Sequence, residues 1–259
     1  MKAKSRIIIL FFFVHSMSFG QDFSLYKKII YTNSDGKSMP CRVLTPKKID
    51  KNKRYPLVVF LHGSGERGSD NEKQLTHGAS LFLSEENRNQ YPSYVIFPQC
   101  PEGESWTTIK LPLNPDEGLK YGDIPSQSLQ LVIGLIQHYV NTEKVDDKRI
   151  YVSGLSLGGM GTFELAYRFP AALSVAMPIC GAGVPKSFDE RVSKIAFWVF
   201  HGDQDPVVAV KYSRQMVARL KELNNEVLYS EYKGVNHESW NNAFAEKDFM
   251  KWMFSHHRD

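Results

Sequence analysis

Arg149-Ile150-Tyr151-Val152-Ser153-Gly154-Leu155-Ser156-Leu157-Gly158-Gly159 runs from an apolar, β-rich segment into a serine flanked by glycines. A helix-like stretch, Met160 to Arg168, follows directly. The G-x-S-x-G pattern occurs once in the chain, at Gly154 to Gly158. Composition alone would produce it in about one chain in ten of this length, so its weight comes from its setting. A strand that turns sharply into a helix holds a serine hydroxyl clear of the backbone. A side chain at Gly154 or Gly158 would collide with the opposite arm of such a turn. The start of the helix also directs N–H groups and partial positive charge at the space above the serine. The stretch therefore predicts Ser156 as a nucleophile on a strand–turn–helix element.

Working outward, apolar runs alternate with helical patterns along the rest of the chain. Strands are expected at Lys28–Thr32, Cys41–Thr45, Leu57–Leu61, Tyr94–Phe97, Arg149–Ser153, Ser174–Ile179, Ala196–Phe200 and Glu226–Tyr232. Central runs such as Leu57-Val58-Val59-Phe60-Leu61 are apolar without interruption, as in strands covered on both faces. Leu129, Val132, Ile133, Ile136 and Val140 form one face of a helix. Val207 to Leu223 and Trp240 to Phe254 also read as helices, and the stretch from Gly63 to Ser93 as one helix with irregular loops. The fold class is α/β: a mostly parallel central sheet of about eight strands with helices on both faces. No linker rich in Pro, Gly or Ser divides residues 21–259, which read as one domain.

A serine hydroxyl becomes nucleophilic when an imidazole takes its proton, and a carboxylate fixes the tautomer of that imidazole. His237 lies in a loop just past the last expected strand, where a base belongs; His256 and His257 lie at the fraying end of the chain. His201-Gly202-Asp203-Gln204-Asp205-Pro206 offers two carboxylates after the strand Ala196–Phe200. Asp205 is taken as the acid and Asp203 as a partner of loop amides. An acyl-transfer site also needs two N–H donors for the oxyanion. Leu157, next after the serine, supplies one; Ser64, in His62-Gly63-Ser64-Gly65, supplies the other, with Gly63 the alternative. Trp106 and Gln99, after the strand Tyr94–Phe97, and Trp240, three residues past His237, are expected to line the substrate pocket, with core packing the competing role for both tryptophans. His62 and His201 read as structural histidines. No ligand set at metal spacing is found, so no metal is expected.

The 259 residues carry a formal charge of +4, of which Lys2, Lys4 and Arg6 account for three. The remainder is nearly neutral and gives no electrostatic reason to expect nucleic acid as a partner. Those cations precede the apolar run Ile7 to Val14 and then Ser16, Ser18 and Gly20. Residues 1–20 thus read as a cleavable signal peptide, too short in its apolar core for a membrane anchor. The mature chain is expected to be secreted or periplasmic. Cys41, Cys100 and Cys180 allow one disulfide at most and read as buried small residues.

Taken together, His62-Gly63-Ser64-Gly65-Glu66-Arg67-Gly68-Ser69-Asp70-Asn71, Pro98-Gln99-Cys100-Pro101, Gly154-Leu155-Ser156-Leu157-Gly158-Gly159 and His201-Gly202-Asp203-Gln204-Asp205-Pro206-Val207 resemble one family. It is the secreted predicted-peptidase, phospholipase/carboxylesterase-like and dienelactone-hydrolase-like branch of the α/β-hydrolase superfamily. The likeness runs from about Tyr26 to Phe254. It implies Ser156, Asp205 and His237 as a catalytic triad and no cofactor. It also implies carboxylesterase activity on a small-molecule or polysaccharide-linked ester, such as acetyl or feruloyl groups of plant polysaccharides. A serine peptidase or amidase would use the same triad, and an inactive binding protein would lack competent residues that are all present here.

Overall fold

The computed structural model describes residues 22–110 and 118–258. The expected signal segment lies outside them. Among the described residues eight strands form one sheet: β1 (Lys27–Thr32), β2 (Ser38–Leu44), β3 (Tyr55–Leu61), β4 (Tyr94–Pro98), β5 (Val145–Leu155), β6 (Val175–Ile179), β7 (Ala196–Gly202) and β8 (Val227–Tyr232). Their spatial order is β1-β2-β4-β3-β5-β6-β7-β8. The β1–β2 and β2–β4 pairs are antiparallel, and every pair from β4–β3 to β7–β8 is parallel. The helices are α1 (Ala79–Leu83), α2 (Glu85–Gln90), α3 (Gln127–Thr142), α4 (Leu157–Arg168), α5 (Lys211–Glu222), α6 (Trp240–Phe244) and α7 (Phe249–Ser255).

The uninterrupted apolar strands are explained by the two cores they separate. Alternate side chains of a strand face opposite ways. Leu57, Val59 and Leu61 of β3 join Val152 of β5 and Phe197 of β7 under α3, α4 and α5. Val58 and Phe60 join Tyr151, Trp198 and Phe200 on the other side, under α1, α6 and α7. All seven residues of β3 and all seven of β7 are buried. Cys41, Cys100 and Cys180 are free thiols within this packing.

Three helical expectations need correction. The stretch from Gly63 to Ser93 holds two short helices rather than one. The helix expected from Val207 starts at Lys211, because the amides of Val207 and Val208 donate to Asp205 Oδ1 and the Val208 carbonyl is engaged by His201. The C-terminal helix is broken at residues 245–248. The break allows Phe244, 5.9 Å from Phe60, and Phe249, 5.7 Å from Phe200, both to enter the core. No helix among the described residues is long and apolar enough to cross a membrane.

The chain goes from β3 outward to β4 on one side, then returns to place β5 on the other side of β3. The strand order therefore reverses between β3 and β5, and the crevice at their carboxyl ends is where such sheets receive ligands. Ser156 and the loop after Leu61 lie there. Cavities of about 220 and 520 Å³, lined by residues such as Ile150 and Phe169 or Tyr55 and Arg149, lie instead toward the amino ends of these strands.

Candidate active site

Ser156 has φ 54° and ψ −114°, a left-handed conformation that costs a non-glycine residue about 1–3 kcal/mol. Its amide donates to Ile179 O at 2.9 Å, anchoring the turn to β6. Gly158 makes the turn feasible. A Cβ there would lie 1.9 Å from Leu61 O, so only glycine lets the first turn of α4 cross the end of β3 so closely.

The serine meets the expected partners. Ser156 Oγ–H donates to His237 Nε2 at 2.8 Å. His237 Nδ1–H donates to Asp205 Oδ2 at 2.7 Å, while Asp203 accepts the Gly234 amide at 2.6 Å and braces the base's loop. Asp205 and His237 lie on the loops after the adjacent strands β7 and β8. The loop from Val235 to His237 crosses directly over Gly202, where a Cβ would come within 2.2 Å of Val235 O.

Asp205 is held as an anion. Burial acts to raise its carboxyl, but His201, His237 and the amides of Val208 and Val207 together hold it far below the usual carboxylate range. Oδ1 accepts from Val207 at 2.8 Å and Val208 at 2.9 Å. Oδ2 takes the His237 bond, with His201 Nε2 at 3.2 Å from the same oxygen. A carboxylate so occupied orients an imidazole and stabilises its cation without taking the proton itself.

Leu61 pairs with Gly154 in the parallel register of β3 and β5. The chain leaving β3 through His62, Gly63 and Ser64 thus runs beside the chain leaving β5 through Leu155 and Ser156. Gly63 packs against Leu155, whose Cδ1 would lie 2.8 Å from an added Cβ. Among the described residues, neither the Ser64 nor the Leu157 N–H has a protein acceptor. His62 fixes this loop: its Nδ1–H donates to Gly63 O at 2.6 Å and its Nε2 accepts from the Cys100 amide at 2.9 Å. Burial pushes its imidazole down to about 4, so the ring is neutral near pH 7.

The residues expected to line the pocket separate into two groups. Trp240 stands against His237, with ring centroids 5.5 Å apart, and against His77, at 5.2 Å. Trp106 and Gln99 correct the expectation. Trp106 is wholly buried, packed with Leu61, Cys100 and Leu157, and its Nε1–H donates to His62 O at 3.1 Å. Gln99 is equally buried and spends its amide on the loop, accepting from Asn71 N and donating to Asp70 Oδ1. Neither has surface left for a ligand; both brace the walls behind the site.

Sequence patterns did not reveal a further brace. Glu164, buried on α4, accepts from Thr107 Oγ1, Thr108 N, Thr108 Oγ1 and Arg168 Nε at 2.6–2.8 Å. It pins the loop after Trp106 to the helix that follows Ser156. Beside Ser156, the residues Cys180, Asp205 and His237 bring three donor atoms within 4.8 Å of one another, as a metal site would. Here His237 Nδ1 is already committed to Asp205, and burial keeps the Cys180 thiol far above its usual range and protonated.

The comparisons with known proteins agree with this architecture. Lysophospholipase-like protein 1 of Mus musculus is 24% identical over 193 residues, 70% of this chain and 79% of that protein. A thermostable esterase of known structure has a TM-score of 0.83 and 34% identity over 91% of this chain, which spans 64% of that esterase's own length. A ferulic acid esterase from the anaerobic fungus Anaeromyces mucronatus shares the fold, with a TM-score of 0.64 and 18% identity over 87% of this chain and 89% of its own. The family model described as phospholipase/carboxylesterase matches residues 47–253, and the chain belongs to that family of α/β hydrolases.

Proposed function

We propose that the mature chain, residues 21–259, is a single-domain exported serine carboxylesterase. One observation carries the reading: Ser156 Oγ, His237 and Asp205 are joined by hydrogen bonds of 2.8 and 2.7 Å at the strand-order reversal. On this reading His237 accepts the Ser156 proton as the hydroxyl attacks the ester carbonyl. The Leu157 and Ser64 amides receive the oxyanion. The alcohol departs with the proton from His237, leaving an acyl-serine. Water, deprotonated by the same imidazole, then releases the acid.

The partly exposed Trp240 ring beside His237, with His77 packed behind it, favours an aromatic acyl or alcohol group, since flat rings stack well on such a wall. Feruloyl esters of polysaccharides are the substrates this suggests, with acetyl esters the smaller alternative. A fluorophosphonate should label the wild-type protein and not Ser156→Ala. Nitrophenyl acetate and feruloyl esters should be turned over, and peptide amides should not. Turnover of the amides alone would replace the esterase reading with a peptidase. Export is tested separately: the protein recovered outside the cytoplasm should begin at Gln21.

A further inference from the structure

The carboxylate of Asp205 has a second histidine against it. His201 is the penultimate residue of β7 and is wholly buried. Its Nε2 lies 2.8 Å from Val208 O and 3.2 Å from Asp205 Oδ2, the same oxygen that receives His237. Its Nδ1 lies 2.7 Å from Ser213 Oγ on α5. A carbonyl only accepts, so Nε2 carries a proton; the single Ser213 hydroxyl proton has Nδ1 at 2.7 Å and Gly181 O at 3.3 Å within reach, and in the neutral ring Nδ1, the nearer of the two, accepts it. The N–H edge is aimed at Val208 O and flanks the carboxylate. Val208 in turn gives its own amide to Asp205 Oδ1. His201 therefore acts on the acid twice, through its positive edge at Oδ2 and through the residue that holds Oδ1.

We propose that His201 is a positioning residue for the Ser156–His237–Asp205 unit. Clamped between Ser213 and Val208, it fixes which side of the carboxylate faces His237, and it takes up part of the charge that would otherwise stabilise the His237 cation. The proposal rests on the esterase reading for its kinetic consequence and on geometry alone for its spectroscopic one. Other groups facing the pair are accounted for. Glu231 lies opposite His201 across β7–β8, with its carboxylate taken by Arg214 and Tyr229. The Cys180 thiol approaches Asp205 and His237 from the end of β6. His77, with Glu66 beyond it, lies behind Trp240.

Two polar replacements separate the roles of the two nitrogens. In His201→Asn the shorter amide can reach Ser213 but not Asp205 or Val208. In His201→Gln the longer one can return an N–H to Val208 and the carboxylate. With less of its charge taken up, Asp205 favours the protonated form of His237. A base must be unprotonated to work, so the acid limb of kcat/KM in His201→Asn should move to higher pH by about half a unit or more. In His201→Gln it should return toward wild type, and KM should be little changed in both, because His201 has no surface to offer substrate. An acid limb unmoved in His201→Asn, or moved equally in both variants, overturns the proposal.

Wild-type protein gives a second measurement that needs neither activity nor a folded variant. In nitrogen-15 spectra His201 should keep its proton on Nε2, and its resonance should step at the pH where His237 titrates, because the two rings share an oxygen. A His201 resonance blind to that titration overturns the proposal. Loss of ester turnover in every protein, with the step intact, would instead count against the esterase reading alone.

Discussion

Replacing Asp205 by Asn is the most demanding test of the arrangement. The two amides at Oδ1, Val207 and Val208, require an oxygen there, so the new NH2 group must take the place of Oδ2. It would then face His237 Nδ1–H at 2.7 Å, donor against donor. The imidazole relieves the conflict by moving its proton to Nε2, and it can then no longer accept from Ser156. A serine hydrolase given the wrong tautomer in this way loses about 10⁴ in kcat, equivalent to about 5.5 kcal/mol of transition-state stabilisation. Asp203→Asn is the matched control, because its amide oxygen can still accept from Gly234; it should stay within a few-fold of wild type. Steady-state hydrolysis of nitrophenyl acetate and the rate of fluorophosphonate labelling should both report the contrast. An Asp205→Asn enzyme within tenfold of wild type, or an Asp203→Asn enzyme the more damaged, would refute the tautomer argument.

His62 makes stability depend on pH. The folded ring titrates at about 4 and the unfolded one near 6.5, so its contribution is complete above about pH 6.5 and is lost as pH falls toward 4, by up to about 1.4 kcal/mol per unit. Urea unfolding between pH 7.5 and 5 should show a shallower slope in His62→Gln, and an identical slope would contradict the assignment. Trp106→Phe removes the bond to His62 O and opens a small cavity, so it should cost about 1–3 kcal/mol of stability and leave KM unchanged. A raised KM at full stability would return Trp106 to the pocket wall. Glu164→Gln deprives the half-buried Arg168 of its counter-charge and should lower stability by about 1–3 kcal/mol in thermal or urea unfolding.

Reading outward from Ser156 finds the central strands because buried parallel strands are written in uninterrupted apolar residues, whereas the half-exposed β1 and β8 are found by their β-rich composition. It points to Ser156, Asp205 and His237 because each follows an expected strand, and the structure brings the three within hydrogen-bonding distance of one another. Short helices are less legible. Five or six residues, as in α1 and α2, hold too few turns to display a period, and the late start of α5 depends on Asp205 and His201 drawing Val207 to Val208 out of the helical ladder. Trp106 and Gln99 mislead for a related reason. They occur among polar loop residues, and only the fold shows that the loop turns their side chains inward to His62 and Asn71. The contact between His201 and Asp205 joins residues four apart, but nothing in their spacing says that the intervening turn brings the ring back to the carboxylate.

The crossing of the Val235–His237 loop over Gly202 ties the acid and the base to one another more firmly than either is tied to the nucleophile. Asp205 and His237 ride on neighbouring strands whose ends are in contact, whereas Ser156 is carried by β5, with β6 between. A sliding motion of β7 and β8 against β5 and β6 would separate the hydroxyl from the imidazole and leave the imidazole–carboxylate pair intact. Warming short of denaturation should therefore uncouple Ser156 first, and cross-links that lock β5 to β7 should preserve turnover at temperatures where a tighter His237 loop alone would not.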